Sequence, residues 1–250
     1  MVNNHLIDLK ALAKKMAKDL PVAAFYIDHA TEVSFSWDLF FNHPLVLKLQ
    51  EDSLSFLYDD YMFGIEHSKK VAHDAAAIVL TEESGLETEE KRHLALLAQL
   101  AGLLHDVQRE EDDHARRSAD AVATILEGYP LQNRDIKLIA TAISSHEDRT
   151  KTDDYPDPQT RLLCQALYDA DKFRFGADIF STTMWLYCDY ESWSMAEIAG
   201  QFPKGISAAR AVVNTLRTTT GKSYGPEIIG QGIGLGETML RHVIKASKEG

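Results

Sequence analysis

Apolar residues recur at intervals of three and four through most of the chain, and the strict alternation of a half-buried strand is scarce. The pattern predicts amphipathic helices over about 5–19, 44–61, 64–83, 88–106, 114–127, 132–147 and 158–173, with two more near 193–217 and 226–248. Pro21 stops the first helix, Gly128-Tyr129-Pro130 separates two others, and the run from Asp153 to Pro158 marks a loop. Residues 22–43 carry Phe25, Tyr26, Phe35, Trp37, Phe40 and Phe41 without a clear period and read as irregular. With no internal repeat and no linker-like stretch, the expectation is one compact all-α domain with terminal elaborations.

Several apolar stripes end in a residue that is costly to bury. His67 shares a helical face with Val71, Ala75 and Ile78, and Leu94, Ala98 and Ala101 lead onto His105. Ile136, Ile139 and Ile143 lead in the same way onto His146, and Cys164 and Leu167 onto Asp171. An ionisable group on a core-facing stripe needs a partner or a metal. One such histidine is more often a hydrogen-bonded core residue than a ligand. Their convergence from separate helices points instead to a shared polar centre. A His-Asp doublet is weak evidence alone, because it occurs at His73-Asp74 as well as at His105-Asp106. His73 follows two lysines and lies well around the helix from His67, so it reads as surface. The second doublet ends the run LLAQLAGLL and is harder to leave unpaired.

Composition narrows the class. The 250 residues are 45% hydrophobic, enough to build a core without staples. The only cysteines, Cys164 and Cys188, exclude a disulfide scaffold and a thiolate zinc module, and they suit a reducing cytoplasm. The N-terminal segment is amphipathic without a continuous apolar stretch, so no secretory signal or membrane association is expected. The balance of 26 basic and 38 acidic residues gives a net charge of −12, which opposes nucleic-acid polymers and anionic lipid as partners. A small anionic substrate remains compatible, because a local site can oppose the global field.

The motifs, taken in order, resemble the HD-domain superfamily of metal-dependent phosphohydrolases. HSKKVAHDA opens on His67, LAGLLHDVQR supplies His105-Asp106, DDHARRSADAVATIL supplies His114, TAISSHED supplies His146, and LYDADKF supplies the closing Asp171. The resemblance covers residues 64–176. It implies an HD-type helical bundle with a metal site between central helices. Residues 1–63 would then form an N-terminal helical elaboration, and residues 177–250 a helical extension packed on the same domain. Asp171 matches the family's closing ligand better than Asp169, which reads as a supporting or surface carboxylate. The acidic stretch Glu110–Asp113 after the doublet departs from the commonest pattern and reads as a solvated loop.

By this resemblance, His67, His105, Asp106 and Asp171 would hold a first divalent metal. His114 and His146 would complete a second site bridged by Asp106, or would contact phosphate and protonate the leaving group when one ion is bound. Imidazole and carboxylate without thiolate suit Mn, Fe, Co, Ni or Zn alike. Such a metal lowers the pKa of a bound water toward neutrality and supplies the nucleophile. Arg109 stands where the family often carries a basic residue and would neutralise phosphoryl charge, with Lys70, Arg116, Arg117, Lys172 and Arg174 as weaker candidates. The expected activity is hydrolysis of a small phosphomonoester or nucleotide-type phosphate, catalysed through Asp106, Arg109, His114 and His146. The alternatives are an HD-type di-iron oxygenase or a non-catalytic ligand-binding module, and homo-oligomerisation is left open. The glycine run Gly230–Gly236 follows no strand and has no acidic partner of the dinucleotide type, so it reads as a flexible entry to the last helix. Trp185, Trp193, Phe173, Phe175 and Tyr187 read as core or interface, and His5, His29, His43, His93 and His242 receive no role.

Overall fold

A computed structural model describes residues 4–53, 64–148 and 154–249. Its helices are, in order, α1 (Asn4–Lys18), α2 (Ala24–Asp28), α3 (Ala30–Asn42), α4 (Pro44–Ser53), α5 (Ile65–Thr81), α6 (Thr88–Leu104), α7 (His114–Ile125), α8 (Asn133–Ser144) and α9 (Pro158–Phe173). A π-helical turn (Ile179–Thr183) follows, then α10 (Met184–Tyr190), α11 (Met195–Val213) and α12 (Thr219–Glu249). No strand occurs among the described residues, so the fold is all-α as expected. The helix expected over 44–61 is present as far as Ser53, and its remainder, like Asp153 of the expected loop, lies outside the described residues.

The chain divides into two compact units, one of residues 25–171 with 216–223 and the other of residues 1–24, 172–215 and 224–250. In the first, α5 and α6 form the centre: α5 packs on α6 and α3, α6 also meets α4 and α8, and α8 meets α7. From Leu94 to Leu104 every residue of α6 is buried, which is how a helix apolar on all sides must sit. Leu94, Leu97, Leu100, Leu103 and Leu104 each withdraw a large side chain from water, worth roughly 1.5–3 kcal/mol apiece. That burial offsets the cost of the polar residues that follow directly at the helix end. The N-terminus of α6 is fixed by Glu87 and Glu90 and that of α8 by Gln132 and Asp135, each pair closing a reciprocal capping box. Gly128, at φ +79°, supplies the left-handed turn after α7 that the Gly-Tyr-Pro signal predicted.

Residues 22–43 are not irregular but largely helical, as α2 and α3. Aromatic and β-branched residues are middling helix formers, and the buried face of α3 carries Ser36 where an apolar period would need a hydrocarbon. Tertiary contacts compensate. Ser36 Oγ donates to the carbonyl of His73 at 2.9 Å, and Gln99 Nε2 donates to the Ser36 carbonyl at 2.6 Å. The same packing corrects the reading of His73, which is buried rather than on the surface. Its ring lies 3.7 Å from that of Trp37 and 4.3 Å from that of Phe40, centroid to centroid.

In the other unit, Phe180, Trp185, Ile198, Phe202, Met239 and Val243 belong to one apolar core, with Leu9 and Ala13 of α1. The Gly230–Gly236 run is also not a flexible entry, because it lies inside α12. A Cβ at Gly232 would fall 2.2 Å from the carbonyl oxygen of Gly176, and one at Gly236 would fall 2.7 Å from the Phe180 ring. The alternate glycines permit close packing of one helix face. The segment that became α10 and the preceding π-turn was not anticipated as helix.

Gly102 decides how closely α5 and α6 approach. A Cβ there would lie 2.4 Å from Ala72 Cα, a contact that only backbone movement can relieve. Gly102→Ala should therefore destabilise the protein by about 2 kcal/mol, seen as a lower urea midpoint at unchanged slope. An unchanged midpoint would show that the two helices separate freely at this level.

Candidate metal centre

The ends of four helices and one helix interior deliver the polar residues of the centre. His67 comes from the first turn of α5, His105-Asp106 directly follow α6, His114 opens α7, His146 follows α8, and Asp171 lies near the end of α9. His67 Nε2 is 3.2 Å from His105 Nε2 and 3.3 Å from Asp171 Oδ1. His105 Nε2 is 3.4 Å from Asp106 Oδ2, and His67 Nε2 is 3.8 Å from the same oxygen. The other carboxylate oxygen faces the opposite way, with Asp106 Oδ1 3.4 Å from His114 Nε2 and 3.5 Å from His146 Nε2. Asp106 therefore stands between two ligand-like sets. All the residues expected at the site are brought together, including His114, whose preceding acidic stretch does not displace it. Part of that stretch is ion-paired along the surface, Asp113 with Arg116 and Glu111 with Arg117.

Backbone carbonyls orient two of the rings. His105 Nδ1 donates to the Gly102 carbonyl at 2.8 Å, and His146 Nδ1 donates to the Ile143 carbonyl at 2.7 Å. A carbonyl can only accept, so the hydrogen of each neutral ring sits on Nδ1 and the lone pair of Nε2 points into the centre. Metal-ligating histidines have this arrangement. Helix geometry produces it, because a ring just past a helix end reaches the carbonyl three residues back, in the last turn.

The electrostatics are those of a buried carboxylate surrounded by imidazoles. Burial would raise the Asp106 carboxyl, but facing His105, His146 and Arg109 outweigh it and hold the group well below the usual carboxylate range. Burial pushes His105 down to about 4, so the ring is neutral near pH 7. Burial would lower His146 too, but facing Asp106 raises it. Asp106 Oδ1 is buried and receives no hydrogen bond. Orphaned buried oxygens are rare, and one ringed by nitrogens at 3.4–3.6 Å has the surroundings of a cation position. The donor set of imidazole nitrogens and carboxylate oxygens thus fits a divalent transition metal. Among the described residues, His67, His105 and Asp171 form one group that could hold an ion, His105, Asp106 and His146 another, and His114, His146 and Glu147 a third.

Glu147 is the one acidic residue of these groups that sequence reading missed, since a carboxylate just past a helix end has no distinguishing pattern. Its Oε1 lies 3.4 Å from both His114 Nε2 and Arg109 Nη1. Hydrogen bonding and charge from His114, with His146 and Arg109 adding, hold it down to about 2 against the effect of burial. Arg109 Nη1 also lies 2.8 Å from His114 Nε2 and 3.6 Å from Asp106 Oδ1. The weaker basic candidates lie elsewhere: Lys70 is exposed, Lys172 is buried, and Arg174 pairs with Asp178 at 2.8 Å.

Asp169 is fully buried and outside the metal-ligand groups, which corrects the option that it lies on the surface. Burial raises its carboxyl to about 6. It accepts from the backbone of Arg217 at 2.9 Å and of Thr218 at 2.7 Å, and a Cβ at Gly221 would fall 2.1 Å from its Oδ2. Its place is to anchor residues 217–221, with Gly221 leaving room for the carboxylate. His93, assigned no role, pairs with Asp135 at 3.1 Å.

A model of the family described as HD domain matches residues 64–176, somewhat under half of the chain, and this match supports membership of the HD-domain superfamily for that segment. HD domains bind divalent metals, and most are metal-dependent hydrolases. No curated protein and no solved structure matches the chain. No helix among the described residues is long and apolar enough to cross a membrane.

A metal ion entering beside His146 must displace the proton that its raised pKa retains. The affinity for added Mn²⁺ should therefore rise with pH through the His146 titration and level off above it. Calorimetry in buffers of different ionisation enthalpy should detect release of about one proton per ion bound there. Binding that neither releases protons nor varies with pH would place the ion away from His146.

Proposed function

We propose that the chain is a metal-dependent phosphohydrolase acting on a small phosphomonoester or nucleotide-type phosphate. The observation that carries this reading is the position of Asp106, one oxygen toward His67 and His105 and the other toward His114 and His146, with the Arg109 guanidinium 3.6 Å away. His67, His105, Asp106 and Asp171 would hold a first ion, and Asp106, His114 and His146 a second if one binds. When bound, the metal supplies Lewis acidity at the phosphoryl group and lowers the pKa of a water to near neutrality.

The chain's own residues supply the rest. Arg109 has a quarter of its side chain exposed and can donate to a phosphoryl oxygen arriving from solvent. His114 and His146 stand on the same side of Asp106 and can hold or pass a proton at Nε2. Asp106 faces both rings through one oxygen and is itself shielded, with 2% of its side chain exposed. A guanidinium beside the ligand set favours a phosphorylated substrate over a neutral one. The small, acidic-bodied chain gives no support to a polyanionic partner, and a small phosphorylated molecule is the partner we propose.

Asp106→Ala should reduce hydrolysis of a simple phosphate ester by at least about 100-fold while leaving the helical circular dichroism intact. Arg109→Ala should raise KM by about ten-fold with a smaller effect on kcat. Elemental analysis of protein purified without added metal should find a divalent transition metal. Activity that survives Asp106→Ala would overturn the site. Two irons with an oxidised-iron absorption band and no phosphatase activity would favour an oxygenase, and metal-free protein that folds and hydrolyses nothing would favour a non-catalytic module.

A further inference from the structure

Glu147 reaches the same two nitrogens that a phosphoryl oxygen entering from solvent would use on the proposed reading. Its Oε1 is equidistant from Arg109 Nη1 and His114 Nε2, 3.4 Å from each, and these two nitrogens are the ones the centre offers to an anion from solvent. The exposure gradient places it at the mouth of the site, with 47% of the Glu147 side chain exposed, 25% of Arg109, 10% of His114 and 2% of Asp106. Glu147 directly follows His146, whose ring is tied to the Ile143 carbonyl, so its backbone is anchored while its own side chain reaches outward.

We propose that Glu147 is a built-in competitor for phosphate, a carboxylate that occupies Arg109 and His114 until a phosphoryl group displaces it. The inference rests on the phosphohydrolase reading and deepens it. Two anions cannot share one guanidinium edge and one imidazole nitrogen at these distances without strong mutual repulsion. Glu147 must swing toward solvent as phosphate enters, and its half-exposed position leaves room for that rotation. The carboxylate returns when phosphate leaves, which weakens retention of inorganic phosphate as a product.

The experiment titrates inorganic phosphate by calorimetry into the full chain, stripped of metal with a chelator, for wild type, Glu147→Gln, Arg109→Ala and the double variant. Glu147→Gln should bind phosphate about three- to five-fold more tightly than wild type, the range expected for releasing an exposed ion pair. That gain should vanish in the Arg109→Ala background. Parallel titrations with Mn²⁺ alone should leave Glu147→Gln within about two-fold of wild type. If Arg109→Ala weakens phosphate binding while Glu147→Gln leaves it unchanged or weaker, the competitor role is overturned and the phosphohydrolase reading stands. If Glu147→Gln loses Mn²⁺ affinity, Glu147 is a metal ligand and the competitor role is likewise overturned. If phosphate binds wild type and Arg109→Ala alike, or binds neither, the phosphate site itself fails and the competitor role fails with it.

Discussion

A carboxylate sealed from solvent among imidazole rings is unstable by itself, and the unit that contains Asp106 is organised around making it tolerable. The cost of removing such a charge from water is several kcal/mol after relaxation, and only surrounding positive charge or a cation offsets it. Arg109 and His146 provide the first of these, the rings of His105 and His114 line the same carboxylate, and His67 and Asp171 extend the donor set toward the second. Arg109 lies in the turn between α6 and α7. Each of the others comes from a helix end or helix turn whose register is held by buried apolar residues, above all the continuous leucine-rich burial of α6. The polar centre and the hydrophobic core are thus one device: packing fixes where the helices end, and those ends fix the nitrogens.

Two consequences follow from placing ligands just beyond helix ends. The last turns of α6 and α8 present the Gly102 and Ile143 carbonyls, and His105 and His146 donate to them through Nδ1, which sets the tautomer and aims Nε2 inward. The same position leaves the next residue free of the helix. After His105 that residue is Asp106, which turns into the core, and after His146 it is Glu147, which turns toward solvent and meets Arg109. A single structural rule therefore yields both a buried bridging carboxylate and an exposed one that can move.

Much of the fold was legible because its helices are strongly periodic. The helices α5 through α9 were expected within a few residues of where they lie, since their apolar stripes and the Gly-Tyr-Pro break report burial directly. What escaped was held by contacts between distant residues. The aromatic stretch 22–43 folds into α2 and α3 because Ser36 donates to the His73 carbonyl, Gln99 donates to the Ser36 carbonyl, and Phe40 meets the His73 ring. The glycine run near 230 is helical because Gly232 and Gly236 let the Gly176 backbone and the Phe180 ring approach, which no local pattern encodes. The burial of His73 was missed, and the choice between a supporting and a surface Asp169 stayed open, for the same reason: their partners, Trp37 and Thr218, are remote in sequence.

By itself the sequence determined which side chains point inward, because helical spacing places His67, His105, His146 and Asp171 on apolar faces whatever the helices pack against. Only the tertiary structure decided how they meet, that Asp106 divides its two oxygens between two sets of nitrogens, and that Glu147 joins Arg109 and His114 at the mouth. Periodicity carries a direction from each helix axis and nothing about the distance to a neighbour. Distances come from the closeness of packing, such as the 2.4 Å that Gly102 leaves for no side chain at all.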